Sequence, residues 1–218
     1  TMAETIESWD DDNVNLKQKL LRGIYGHGFE NPSPIQKKAI IPMINKKDII
    51  AQAQSGTGKT GAYSISTLQI VDSTIAETQT LVLAPTRELA VQITDVIRNL
   101  SVQLGTVVKL LIGGTPVRED IQEMRNTVPH IVVGTPGRVF DIIRNGHIDS
   151  AKIKLLVLDE ADEILSKGFE DQIHDIFQYL SSDAQIALFS ATMPPELKNL
   201  TCKFMRDPVE ILVKQEQV

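Results

Sequence analysis

The segment Ala53-Gln54-Ser55-Gly56-Thr57-Gly58-Lys59-Thr60 constrains this chain more than any other. It ends a short apolar run, Asp48-Ile49-Ile50-Ala51, that reads as a strand, and a helix should open at Gly58. Strand, glycine-rich turn and helix in that order make a loop that cradles polyphosphate. Gly56 and Gly58 leave room for backbone N–H groups to wrap phosphate oxygens, and the helix N-terminus adds partial positive charge. Lys59 has the reach to meet β and γ phosphates, and the Thr60 hydroxyl can sit on Mg²⁺. Ala53 stands where the pattern usually has its first glycine. A plain Gly/Thr turn would account for the glycines. It would not account for the strand before them or the Lys-Thr pair after them.

A second apolar run, Leu155-Leu156-Val157-Leu158, reads as a strand buried on both faces and ends in Asp159-Glu160-Ala161-Asp162. Open α/β sheets bind ligands at the carboxyl ends of their strands. Asp159 there can hold Mg²⁺, directly or through water, and Glu160 can orient and deprotonate a water aimed at a γ phosphate. A phosphate-loop kinase has less need of that Glu, because its substrate brings the nucleophile. Acidic residues also favour the first turn of any helix. That explanation suffices for this segment alone, and fails once the loop at Lys59 is considered with it.

Around these two segments, strands and helices alternate. The candidate strands are 48–53, 80–84, 107–112, 130–134, 154–158, 185–190 and 209–213. Helical patterns fall near 59–72, 87–103, 117–126, 137–145, 169–180 and 195–204, and residues 15–45 read as helical with Ser33-Pro34 as cap and first helical residue. Such alternation implies a mostly parallel sheet with helices on both faces. Strand order is not readable. Residues 1–14 are polar and acidic and should be loosely ordered apart from Trp9. With 218 residues, one domain can bury about 70% of its unfolded surface. One cysteine, Cys202, precludes an internal disulfide and fits a reducing compartment. The four histidines lack metal-ligand spacing, and no run reaches the ~20 apolar residues of a membrane span. A net charge of −6 gives no global attraction for nucleic acid, so any such contact must use a local patch.

From about residue 9 to the end, the chain resembles the DEAD-box ATP-dependent RNA helicases. The resemblance rests on Gly28-Phe29 with Pro32 and Ile35-Gln36, then Ala51 to Thr60, then Pro85-Thr86-Arg87-Glu88-Leu89-Ala90. Gly113-Gly114, Thr135-Pro136-Gly137-Arg138, Asp159-Glu160-Ala161-Asp162 and Ser190-Ala191-Thr192 follow in the family's order. Leu20 to Tyr25, Ala51 to Gln54 and Phe204-Met205-Arg206-Asp207-Pro208 look most like its translation-initiation branch, with much wording shared by exon-junction relatives.

The resemblance implies a RecA-like α/β domain over 15–213 that binds ATP and Mg²⁺. It assigns the phosphate loop, Ala53 to Thr60, to the nucleotide. It makes Gln36 the reader of adenine, Phe29 the ring stacked on the base and Trp9 the more distant aromatic. On chemistry alone, a surface glutamine and a core phenylalanine fit equally well. Pro85, Thr86 and Arg87, Gly113 and Gly114, and Thr135, Gly137 and Arg138 are assigned to an RNA backbone, read without regard to sequence. The turns at 85–87 and 135–138 suit phosphate oxygens, although Thr135-Pro136 is equally a good helix start. Gly113-Gly114 would let another backbone approach closely. Ser190 and Thr192 become a relay to Asp162.

The expected catalytic set is Lys59 on phosphate, Thr60 and Asp159 on the metal, and Glu160 on the water. Residues 214–218 read as the start of a linker to a second RecA-like domain bearing the family's arginines, so this chain alone should not unwind RNA. A scaffold protein of translation initiation is the expected partner. The cytoplasm is the expected location, or the nucleus for an exon-junction-type relative. The rival class is an ATP-gated RNA clamp that turns over little, against which the intact Glu160 argues. A DNA helicase is disfavoured by the resemblance alone.

Overall fold

The computed structural model describes residues 4–214. Seven strands form one sheet: β1 (Ile49–Gln52), β2 (Thr80–Leu83), β3 (Val108–Leu111), β4 (Ile131–Gly134), β5 (Leu155–Leu158), β6 (Gln185–Ser190) and β7 (Val209–Leu212). The helices are α1 (Gln18–Gly26), α2 (Pro34–Ile44), α3 (Lys59–Ile70), α4 (Arg87–Leu100), α5 (Val117–Asn126), α6 (Pro136–Arg144), α7 (Ala161–Ser166), α8 (Glu170–Tyr179) and α9 (Pro195–Phe204). The spatial order is β3-β4-β2-β5-β6-β1-β7, and every pairing is parallel.

The unbroken apolar runs of the central strands follow from this arrangement, because both faces of the sheet are covered. Successive side chains point to opposite faces. Val82 and Val157 join the core built with α1 to α4, whereas Leu81, Leu83, Leu156 and Leu158 join the core built with α5 to α9. Two helices, α2 and α4, begin at side-chain caps. The Ser33 side chain accepts from the Gln36 N–H, and the Gln36 side chain accepts from the Ser33 N–H, closing a capping box ahead of Pro34. Thr86 caps α4 through the Leu89 N–H at 3.2 Å.

The helical stretch 15–45 divides into two helices, the second starting at Pro34 as its cap predicts. The chain turns at Gly28, whose φ is +94°, and re-enters a helix only after Pro32-Ser33. The segment 4–14 has no helix or strand, yet it is not loose. Ile6, Trp9 and Val14 are buried in the core, and the Ile6 N–H donates to the Lys37 carbonyl at 3.1 Å. Its apolar residues outweigh its acidic composition. Of the expected linker, residues 215–218 lie outside the described residues, and Lys214 follows β7 without regular structure.

The register aligns the strand ends that matter. Leu158 lies opposite Leu83 on one side and Leu188 on the other, while Gln52 lies opposite Ser190. The loops after β1, β2, β5 and β6 therefore leave the sheet along one edge, where such sheets bind ligands.

Candidate nucleotide site and adjoining cleft

The turn after β1 is shaped by two glycines in the left-handed region, Gly56 at φ +85° and Gly58 at +88°. Gly58 caps α3 and has no room for a side chain, since an added Cβ would lie 2.6 Å from Ser33 Oγ and 2.9 Å from Gln36 Nε2. Ala53 is buried, and its N–H donates to the Ser190 carbonyl at 2.9 Å. Because it avoids the left-handed region, alanine fits where the pattern usually has glycine. Gln54, Ser55 and Gly56 are exposed at the mouth of the loop, and the Thr57 hydroxyl donates to the Gln54 carbonyl at 2.7 Å.

Lys59 and Asp159 form a buried ion pair at 2.9 Å, with side-chain exposures of 6% and 0%. Glu160 Oε1 lies 3.7 Å from the same ammonium. Asp159 Oδ1 also accepts from the Glu160 N–H at 2.8 Å, and Oδ2 accepts from the Tyr63 hydroxyl at 2.7 Å. Tyr63 is fully buried, and its phenol is pushed well above its usual pKa, first by burial and then by the Asp159 charge. Glu160 is the N-cap of α7 with φ +48°, a costly conformation for a non-glycine residue and one that clusters at functional sites. Tyr63 escaped the sequence reading because a tyrosine in an apolar helix looks like core.

Gln36 lies beside the loop and is only 3% exposed. Its amide nitrogen donates to the Gly58 carbonyl at 3.1 Å and its oxygen accepts from the Ser33 N–H at 2.9 Å. Of its two hydrogens and two lone pairs, one of each is used within the protein. The half-buried Phe29 ring and Gln36 converge on Gly61, where an added Cβ would meet Gln36 Nε2 at 2.6 Å and Phe29 Cε2 at 3.1 Å. Gly61, like Tyr63, went unremarked in the sequence. Trp9 donates its indole N–H to the Phe29 carbonyl at 3.1 Å, with ring centroids 6.5 Å apart. At 1% exposure it is a brace for Phe29.

Ser190, at the end of β6, accepts from the Asp162 N–H at 3.1 Å and donates to the Thr192 carbonyl at 2.7 Å. Thr192 donates its hydroxyl to Asp162 Oδ2 at 2.7 Å. The structure thus joins all three residues by hydrogen bonds.

Further along the same edge opens a cleft of about 990 Å³ lined by Pro85, Thr86, Arg87, Gly113, Thr135, Gly137 and Arg138. The N-termini of α4 and α6 meet here, a setting suited to anions. Phe140, Lys167, Phe169 and Gln172 also line it and carried no sequence signal. Two of these positions already have partners within the chain. The space beside Gly113 and Gly114 is filled by this chain's own Arg87, because a Cβ at Gly114 would lie 2.8 Å from Arg87 Nη1. Arg138 is already engaged, bonding Asp120 Oδ2 at 3.0 Å and the Thr115 carbonyl at 2.9 Å. The reason is that Asp120 is nearly buried and needs paired charge, which Arg138 and Lys109 supply.

These residues fit a magnesium-bound nucleoside polyphosphate. Left-handed glycines leave backbone room, a helix N-terminus faces the loop, and Lys59, Thr60 and Asp159 sit together. Among the described residues no group of three acidic, histidine or cysteine side chains could hold a metal alone. That suits Mg²⁺, which is usually bound through one or two carboxylates, phosphates and waters. No described helix is long and apolar enough to cross a membrane.

The same fold occurs in known proteins. A DEAD box protein from the hyperthermophile Methanococcus jannaschii matches with TM-score 0.91 and 36% identity, over 96% of this chain and 57% of its own. A variant of S. cerevisiae Dbp5 bound to a Gle1 variant and IP6 matches with TM-score 0.87 and 33% identity, over 97% of this chain and 53% of its own. The Dbp5 variant bound to Nup159, a Gle1 variant, IP6 and ADP matches with TM-score 0.82 and 34% identity, over 92% and 53%. The chain spans little more than half the length of these structures. The fold is RecA-like α/β. With the DEAD/DEAH box helicase family pattern matching residues 33–200, the chain belongs to the DEAD/DEAH box helicase family.

Proposed function

We propose that this chain is the N-terminal, ATP-binding domain of an ATP-dependent RNA helicase and carries one half of its RNA track. The observation that carries the reading is the buried Lys59–Asp159 pair at the mouth of the phosphate loop, with Glu160 beside it. Bound Mg²⁺ would screen phosphate charge and orient the γ phosphate. Thr60 and Asp159 hold the metal, and Lys59 leaves Asp159 for the phosphates. Glu160 orients the attacking water and accepts its proton. Gln36 offers its remaining amide hydrogen and lone pair to adenine, and Phe29 stacks on the base. Ser190 and Thr192 couple Asp162 to RNA.

Arg87, the backbone amides at 113–114 and the Gly137 N–H bind the RNA sugar–phosphate backbone, which fixes register without reading sequence. Arg138 shapes that surface through Asp120. Turnover and unwinding require a second RecA-like domain to close the site, because a supplied arginine is worth roughly 10³–10⁵ in phosphoryl transfer. Resemblance in wording supports a role in translation initiation beside a scaffold protein in the cytoplasm, as in eukaryotic translation initiation factor 4A. The test is ATP hydrolysis by the protein carrying both domains, with and without RNA. RNA-stimulated turnover is expected. Nucleotide and RNA binding without turnover would instead favour an ATP-gated clamp.

A further inference from the structure

The Asp159 carboxylate takes three donors, and one of them has no part in the proposed chemistry. Lys59 and the Glu160 N–H occupy Oδ1 at 2.9 and 2.8 Å, while Oδ2 takes the Tyr63 hydroxyl at 2.7 Å. We infer that Tyr63 is a positioning residue whose phenol holds the Asp159 carboxylate in place for Mg²⁺ and so sets how much magnesium adds to nucleotide affinity. The inference rests on the proposed nucleotide site.

Packing alone does not call for this hydroxyl. The Tyr63 ring lies against Phe189 with centroids 5.3 Å apart, in a core position where phenylalanine would fill the same space. A buried phenol needs a partner, and Tyr63 takes it from the carboxylate proposed to hold the metal. Tyr63 also lies one turn beyond Thr60 on α3, so the two side chains share a helix face. The Thr60 side chain lies near the same phenol and favours its charged form, against the larger effects of burial and Asp159. The phenol thus bonds Asp159 and lies near Thr60, the two residues proposed to hold the metal.

The geometry matters most when ligand arrives. Phosphates compete for Lys59, and the Glu160 N–H and Tyr63 then remain as the donors holding Asp159. A carboxylate secured on only one oxygen can rotate away from the metal. Losing one hydrogen bond to a charged group should weaken the magnesium-dependent step roughly tenfold.

The experiment is calorimetric titration of ADP into this chain and its Tyr63→Phe variant, each with Mg²⁺ and with a chelator. With chelator the two should bind alike. Magnesium should strengthen binding roughly tenfold less in Tyr63→Phe than in wild type. Adding Tyr63→Phe to an Asp159→Asn background should then change little. An equal magnesium gain in both proteins overturns the inference, as does equal weakening with and without magnesium, the mark of a structural role. Persistence of the effect in the Asp159→Asn background overturns it too. If wild type binds no ADP at all, the nucleotide site itself is overturned.

Should Tyr63→Phe fail to fold, wild type labelled with fluorotyrosine decides the matter. Of its three tyrosines, Tyr25 and Tyr179 are 46% and 42% exposed and only Tyr63 is buried. The Tyr63 resonance should shift when magnesium joins the ADP complex, and an unmoved resonance refutes the inference.

Discussion

At the phosphate loop the charged side chains face one another; in the neighbouring cleft they divide into paired and unpaired. Lys59 and Asp159 form a buried pair, with the partly exposed Glu160 beside them, before any ligand is considered. In the cleft, Arg138 is locked to Asp120, whereas Arg87 is exposed and, among the described residues, makes no ion pair or side-chain hydrogen bond. Where charges are buried against each other, removing one strands its partner in a medium that cannot solvate it. Binding and folding are then entangled. Where a charge stands over open space, it can be removed without the fold noticing. The contrast therefore predicts which substitutions separate function from stability.

The largest effect should come from Glu160→Gln in the protein carrying both domains. Glutamine keeps size and hydrogen bonding but cannot accept the proton, so turnover should fall by about 10²–10⁴-fold. ATP and RNA affinity should stay near wild type. Turnover near wild type would show that the water is activated elsewhere and would break the proposed division of labour.

Lys59→Ala tests the entangled end directly. It removes the ammonium from the phosphates and strands the buried Asp159 charge, although Tyr63 and the Glu160 N–H still bond it. A loss of about 3–5 kcal/mol in urea unfolding is expected, together with weaker ADP binding. Unchanged stability would mean that the pair contributes nothing before ligand arrives.

The two arginines then sharpen the comparison within the cleft. Arg138→Ala should destabilise the fold by about 1–3 kcal/mol, because Asp120 loses a partner in a nearly buried position. Arg87→Ala should leave stability within about 0.5 kcal/mol. It should instead weaken RNA binding across sequences and reduce the slope of affinity against salt by about one counterion. Equal effects of the two substitutions on unfolding would erase the distinction.

The smallest expected effect belongs to Gln36→Ala. Wild type should prefer ADP to GDP, and the substitution should narrow that preference by about 0.5–1.5 kcal/mol. Loss of the capping box should also cost stability on the order of 1 kcal/mol. Equal affinity of wild type for ADP and GDP would remove adenine recognition from Gln36.

Much of the fold was legible because its signals are local. The apolar run at 155–158 is a strand in the centre of the sheet, and the helical pattern near 169–180 is α8. Gly58 marks the start of α3 because only a left-handed residue makes that turn. The misreadings have physical causes as well. The acidic segment 4–14 looked loose, yet three apolar side chains anchor it. The packing of Arg87 against Gly113-Gly114 carried no sequence signal, because it joins loops distant in the chain.

The sequence by itself determined the strand–turn–helix at Lys59, the parallel α/β class and the identity of the charged residues at strand ends, because each depends on a few neighbouring side chains and the backbone geometry they allow. Only the tertiary structure decided which of those residues meet. The order β5-β6-β1 brings Asp159, Ser190 and Lys59 to one edge, the Asp120 pairing turns Arg138 from a free cation into a clamp, and the burial of Tyr63 aims a phenol at Asp159. Such partnerships join residues far apart in the chain. They are settled by which surfaces the sheet brings together and by the need of every buried charge for a partner.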